Sequence, residues 1–160
     1  MRRALNEMDS KRLTDMNEIL TQYLEKKKMR KTEERFMILR CICSFPSHFD
    51  ISQLSQKLEE INFHVSLATL YNTLDILEDC RIVVRHQSIQ STLYELRILA
   101  ETHQHLICTK CGAIRDLKNV SLKQNIENLK IPRFNAEYYA LYIYGICSKC
   151  KYKLSRKKQI

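Results

Sequence analysis

Apolar positions recur every three or four residues through the first half of the chain. Leu13, Met16, Leu20, Tyr23 and Leu24 keep that spacing and give way to a polar run from Glu25 to Arg30, which predicts an amphipathic helix over about 10–27. Thr32 is a candidate N-cap for a second helix. Glu33 and Glu34 suit its positive start, Phe36, Leu39, Ile42 and Cys43 continue an apolar face, and Pro46 bounds it. Asp50 opens a third helix with Ile51, Leu54, Leu58 and Ile61 on one side. Ser66 opens a fourth, in which Leu67, Leu70, Leu74 and Leu77 are expected inside and Thr69, Tyr71, Asn72 and Thr73 outside.

The period then changes. Ile82 to His86 and Ser91 to Glu95 are short β-prone runs separated by Gln87 to Gln90, so they predict a hairpin. After a short polar-flanked segment, 97–102, read as a hinge, His105 to Cys108 and Ala113 to Leu117 pair about the Lys110-Cys111-Gly112 turn. A helix over 122–129 and a third strand over 138–144 follow, and a basic tail from Lys149 to Lys158 is expected to fray. The predicted fold class is α+β, with a winged-helix domain over 1–96 and a small α/β domain over 103–160. Third and fourth helices joined by only Asn62 to Val65 outline a helix-turn-helix. A plain helical hairpin has the same outline, and the β-hairpin that follows favours the winged-helix reading, in which the fourth helix enters the DNA major groove.

Composition sharpens this picture. With 160 residues, 44% of them hydrophobic, the chain has enough apolar material for a core in each of two small domains. A net charge of +9 favours a polyanionic partner, although a solvated basic surface carries the same charge. There is no apolar run of bilayer length and no apolar stretch behind Met1-Arg-Arg-Ala-Leu, so a cytoplasmic protein with no membrane partner is expected. In a reducing compartment seven cysteines point to metal ligands or buried thiols rather than disulfides. Cys41 and Cys43, too close on a helix to face one metal, are read as core or half-buried thiols.

The strongest chemistry lies in His103-Gln-His105-Leu-Ile-Cys108-Thr-Lys-Cys111-Gly112 and in Cys147-Ser-Lys-Cys150. Two C-x2-C pairs suit a closed, four-cysteine structural zinc site. A redox dithiol is the other use of such a pair, but it does not need a second copy. His103 and His105 alternate on an extended segment, so both imidazoles leave one face and suit a borderline divalent metal.

These motifs, with Val65-Ser-Leu-Ala-Thr-Leu-Tyr71, Tyr94-Glu-Leu96 and Leu141-Tyr-x-Tyr-Gly-x-Cys147, resemble the ferric uptake regulator (Fur) family of metal-responsive bacterial repressors from about Met29 to Cys150. The resemblance implies a winged-helix domain hinged to a dimerisation domain, and a homodimer that binds a palindromic operator in double-stranded DNA when a regulatory metal is bound. It implies structural Zn(II) on Cys108, Cys111, Cys147 and Cys150. By position, a second divalent metal, Fe(II), Mn(II) or Zn(II), would fall to His48, Glu95, His103, His105 and Asp116. DNA contacts would fall to Arg30, Lys31, Ser66, Thr69, Tyr71 and Asn72. Asp116 also fits peroxide-sensing members, so that function stands as the alternative.

The chain departs from the family's pattern in three places. A further metal site used by many members would fall on Thr102, Gln104, Lys123 and Tyr139, which are poor ligands, so that site is expected to be absent. Asn72 stands where Arg is common, and Asn suits adenine N6 and N7 where Arg suits guanine. Thr32-Glu-Glu-Arg35 replaces Thr-Pro-x-Arg. Neither an enzyme nor a small-molecule substrate is expected: five protein ligands would crowd a hydrolytic water, and no separate base is apparent. A constitutive zinc-stabilised module binding DNA or RNA is a further alternative, distinguished by its preference for duplex or single strands.

Overall fold

A computed structural model of the chain describes residues 2–87, 92–100, 103–136 and 139–157. Two compact units emerge, the first comprising Met1–His86 with Leu93–Arg97 and the second Gln87–Thr92 with Ile98–Ile160.

The first unit is built from helices α1 (Arg2–Lys26), α2 (Glu33–Ile42), α3 (Ile51–Glu60) and α4 (Leu67–Asp79) and a sheet of two strands, β1 (Val83–Gln87) and β2 (Thr92–Leu96). Helix α1 starts well before the expected residue 10. It stops where Lys28 adopts φ 54° and the amide of Met29 reaches back to the carbonyl of Leu24 at 2.8 Å, the closing bond of a left-handed C-cap. Its Leu20 and Leu24 are fully buried, as are Ile38, Leu39 and Ile42 of α2, Leu54 of α3 and Leu70, Leu74 and Leu77 of α4. Each such side chain contributes about 1.5–3 kcal/mol of burial. A hydrogen bond from the Tyr23 hydroxyl to Asp79 Oδ2 at 2.9 Å links α1 with the end of α4.

Local chemistry fixes the helix starts. Asp50 accepts from the amide of Gln53 at 2.8 Å while the Gln53 side chain accepts from the amide of Asp50 at 2.9 Å, a complete capping box. The Ser66 hydroxyl accepts from the amide of Thr69 at 3.1 Å. Between them Asn62 takes φ 56°, a left-handed conformation its short polar side chain tolerates, and this lets α3 turn sharply into α4. Thr32 occupies the cap position of α2 without a side-chain cap bond.

Two expectations for α4 are corrected. Leu67, the first helical residue, is exposed. Thr73 is buried, since it lies three residues after Leu70 and four before Leu77 and so falls within the apolar stripe whatever its hydroxyl suggests. The wing strands run one residue later than expected, and Ser88 to Gln90 of its turn lie outside the described residues. Phe49 pairs with Tyr94 in an isolated antiparallel bridge, with reciprocal N–H to O bonds of 2.9 and 2.7 Å. Phe49 is wholly buried and stacks on Phe45 and Tyr94 at ring separations of 4.7 and 5.9 Å.

Arg97–Ala100 forms a single helical turn, α5, within the segment read as a hinge, of which Glu101 and Thr102 lie outside the described residues. The second unit holds a three-stranded sheet with β3 (Gln104–Cys108) at its centre, β4 (Ile114–Leu117) antiparallel on one side and β5 (Tyr142–Gly145) parallel on the other. Helix α6 (Val120–Glu127) is capped by Asn119, whose side chain accepts from the amide of Leu122 at 2.9 Å. The third strand is shorter than expected, and Tyr138 lies outside the described residues. The expected frayed tail is instead helix α7 (Ser148–Lys157), rich in Lys and Arg, which are good helix formers. Among the described residues no helix is long and apolar enough to cross a membrane.

Candidate metal centres and nucleic-acid interface

The four cysteines are delivered by the sheet of the second unit. Cys108 ends β3, and the chain reverses through Gly112, whose φ of 65° is left-handed and whose amide bonds to the carbonyl of Cys108 at 2.9 Å. Cys111 thereby returns toward Cys108. Strand β5 runs parallel to β3 with Gly145 opposite Cys108, so two further residues carry the chain to Cys147 and the first turn of α7 supplies Cys150. The four sulfurs all lie within 4.8 Å of one another, and all four thiols are free. Four thiolates about 2.3 Å from one zinc stand about 3.8 Å apart in a tetrahedron, and the Cys111 and Cys147 sulfurs are 3.8 Å apart. The donor set and spacing fit structural zinc.

The amides around this cluster favour thiolate. Hydrogen bonds from the backbone of Cys147, then of Cys111 and Lys110, hold the Cys108 thiol down at about 6, with the Cys147 amide 3.3 Å from its sulfur. Hydrogen bonds shared with Cys111 and Cys147 push Cys150 up to about 12. Cys41 and Cys80 behave differently. Burial raises both thiols, Cys80 to about 11, in keeping with inert packing groups.

Each unit also holds nitrogen and oxygen donors. In the first, the Phe49–Tyr94 bridge sets their neighbours His48 and Glu95 side by side, with His48 Nε2 3.3 Å from Glu95 Oε2. Glu95 is completely buried. A histidine that spacing did not single out, His86 of β1, is also fully buried, with Nε2 3.4 Å from the same Glu95 oxygen and its ring 5.0 Å from that of His48. The only signal for it in the sequence is a histidine on a wing strand.

In the second unit, His103 and His105 are buried two residues apart at the start of β3, with ring centroids 4.8 Å apart. His105 is paired with Asp116 across the β3–β4 ladder, so that carboxylate shares the face of both imidazoles, and Asp116 Oδ1 is 3.5 Å from His103 Nε2. Donors bound at about 2.1 Å to one ion stand about 3.0–3.4 Å apart, so each of these groups has the spacing of a partial coordination shell. Of the positions for a further metal site, Gln104 is buried and accepts from the amide of Asn119 at 3.2 Å, which gives it a packing role. Thr102 lies outside the described residues.

On the candidate nucleic-acid face, Tyr71 and Asn72 project from α4 and are exposed. Ser66 and Thr69 are engaged with each other through their hydroxyls at 2.9 Å as well as through the cap. Arg30 and Lys31 are exposed after α1, but Lys31 pairs with Glu25, and the carbonyl of Arg30 accepts from the Arg35 guanidinium.

Residues 26–144 match the model of the ferric uptake regulator family. The chain belongs to that family. It is a metal-responsive transcriptional regulator of the Fur type, whose cofactors are zinc and a second divalent metal. It is 31% identical over 130 residues to the peroxide-responsive repressor PerR of Staphylococcus epidermidis, covering 80% of this chain and 85% of that one. Among solved structures, the ferric uptake regulator of Francisella tularensis with iron is 26% identical, with a TM-score of 0.55 over 77% of this chain and 95% of that one. The Pseudomonas aeruginosa regulator with manganese shares the fold, with a TM-score of 0.67 and 24% identity over 80% of this chain and 97% of that one. These relatives are regulators rather than enzymes.

Proposed function

We propose that this Fur-family regulator acts in the cytoplasm as a homodimeric repressor that binds a palindromic operator in double-stranded DNA when a divalent metal occupies its regulatory site. His48 and Glu95 of the first unit and His103, His105 and Asp116 of the second would hold that ion, which when bound cross-links whatever its ligands belong to. The observation that carries the reading is the bridge of Phe49 and Tyr94. It builds donors into the body of the winged-helix unit, against the hairpin that follows its recognition helix. Donors without thiolate accept Fe(II), Mn(II) or Zn(II), and Zn(II) binds such sets more tightly than the other two.

Cys108, Cys111, Cys147 and Cys150 would hold zinc for structure. Tyr71 and Asn72 would read bases in the major groove, with Ser66 and Thr69 at the helix start and Arg30 and Lys31 against phosphates. Pairing with a second copy is supported by the apolar surface the second unit exposes, including Val120, Phe134, Ile143 and Tyr144. The decisive test compares promoter-DNA affinity with and without Mn(II) for wild type and His103→Ala. Wild type should bind more tightly with metal and the variant should not. Equal affinity in all four cases would leave a constitutive DNA binder.

A second reading, peroxide sensing, is favoured by the similarity to the staphylococcal repressor and by Asp116 beside His103. Its test is mass spectrometry of the Fe(II)-loaded protein after hydrogen peroxide. Oxygen gained at His103 or His105 would establish it, and unmodified histidines with retained DNA binding would exclude it.

A further inference from the structure

We propose that His86 is a positioning residue for Glu95: it grips one carboxylate oxygen from within the wing and so presets the glutamate for the regulatory ion. The inference rests on the reading above that Glu95 is a ligand. His86 has no accessible side-chain surface and neither does Glu95. Burying a carboxylate is costly unless donors and countercharges are supplied locally. Here two imidazole nitrogens approach the same oxygen, His48 Nε2 at 3.3 Å and His86 Nε2 at 3.4 Å, with the two rings edge-on at 65°.

The two histidines reach that oxygen from different supports. His48 sits on the loop before α3, beside the bridge at Phe49, whereas His86 belongs to β1, held in the hairpin sheet. A loop ligand can adjust to an incoming ion more readily than a strand residue in a packed sheet. Held by His86, the Glu95 carboxylate would have a restricted rotation. Carboxylate ligands are commonly oriented in this way by outer partners, whose loss weakens metal binding about 10–100-fold.

The test uses the full-length protein with its thiolate site filled by zinc, and titrates Mn(II) while free Mn(II) is read by electron paramagnetic resonance. Relative to wild type, His86→Leu should raise the Mn(II) dissociation constant about 10–100-fold, and His86→Gln, which restores an N–H donor, should recover most of that loss. In a Glu95→Ala background His86→Leu should add nothing further. Unchanged affinity in His86→Leu, or an equal additional loss without Glu95, overturns the inference. If Glu95→Ala alone leaves Mn(II) binding intact, the parent reading has failed instead.

A measurement on the wild-type protein can overturn the inference even if His86→Leu does not fold. In nitrogen-15 spectra, with the His86 signal assigned by its loss in His86→Gln, Nε2 should keep its proton when Zn(II) fills the regulatory site. A proton lost from Nε2 on loading would make His86 a ligand and end the positioning role.

Discussion

The two sets of metal-seeking side chains differ in where the chain keeps them. All four cysteines belong to the second unit and are brought together by one strand pair, one turn and one helix start. The histidines and carboxylates are divided: His48, His86 and Glu95 belong to the first unit, and His103, His105 and Asp116 to the second. Energy released by an ion held wholly inside one unit can only stabilise that unit. An ion whose ligands come from both would instead couple them. Ligand type follows the same division, since four thiolates select zinc in a closed structural site while imidazole and carboxylate accept several divalent metals.

The largest effect expected is therefore loss of the thiolate site. Structural zinc contributes on the order of 10 kcal/mol to the folding of such a site, more than a small domain's entire margin of about 5–15 kcal/mol can easily spare. Chelation under reducing conditions, or Cys108→Ser, should unfold the second unit and abolish self-association while the helical first unit remains folded. Circular dichroism with sedimentation would check this. An intact second unit after zinc removal would break the comparison at its stronger end.

Next in size is the linkage effect. A regulatory ion bound by both units should couple to DNA with about 1–3 kcal/mol, or roughly 5–150-fold in affinity. His48→Ala, in the first unit, and His105→Ala, in the second, should each remove that coupling without loss of the thiolate-bound zinc. Fluorescence anisotropy of labelled operator, with and without Mn(II), would measure it. Retained coupling in either variant would mean the ion needs only one unit, and the contrast with the cysteines would disappear.

Much of this division was legible in the sequence, because the relevant signals are local. C-x2-C, once beside Gly112 and once at the start of the basic C-terminal stretch, needs no tertiary information, and neither do caps such as Asp50 with Gln53 three residues on. His103 and His105 declare themselves by alternation. His86 does not: a single histidine on a strand becomes informative only when Glu95 from the neighbouring strand faces it, which spacing alone does not reveal. Thr73 failed for the converse reason, since its chemistry outweighed its position on the helix, and packing obeys position. The C-terminal helix was missed because its charge resembles that of a solvated tail, although Lys and Arg are well suited to helices and Ser148 follows a strand that is already anchored by the sheet.

A change on the DNA face should leave both metal sets untouched and so sharpen their contrast. Asn72→Ala removes an exposed amide suited to adenine N6 and N7, and is expected to cost about 1–3 kcal/mol at one operator position with relaxed specificity there. Metal dependence should persist at the new, weaker level. Lys31→Ala, by comparison, should weaken all sequences alike and reduce the salt slope. Selection of bound sequences by wild type and Asn72→Ala would test the assignment. An identical preferred operator would show that Asn72 does not read bases.

The smallest effect isolates the first unit's donors from the rest of the molecule. Asp50 follows His48 and Phe49 directly, and its capping box fixes the start of α3 at the point where the His48 loop ends. Asp50→Ala should cost about 1 kcal/mol, a fall of about 4–8 °C in the melting temperature of a unit of this size. Because the loop's far anchor is loosened, Mn(II) affinity should fall slightly as well, while zinc content and the thiolate cluster should not change. Thr32→Ala is the matched control: Thr32 holds the cap position of α2 without a backbone cap bond and meets only the exposed Glu34 side chain, so its loss should cost less. If Asp50→Ala lowered the melting temperature but left Mn(II) binding unmoved, His48 would be held by the Phe49–Tyr94 bridge alone. If zinc content fell, the two units would share more than the division of their ligands implies.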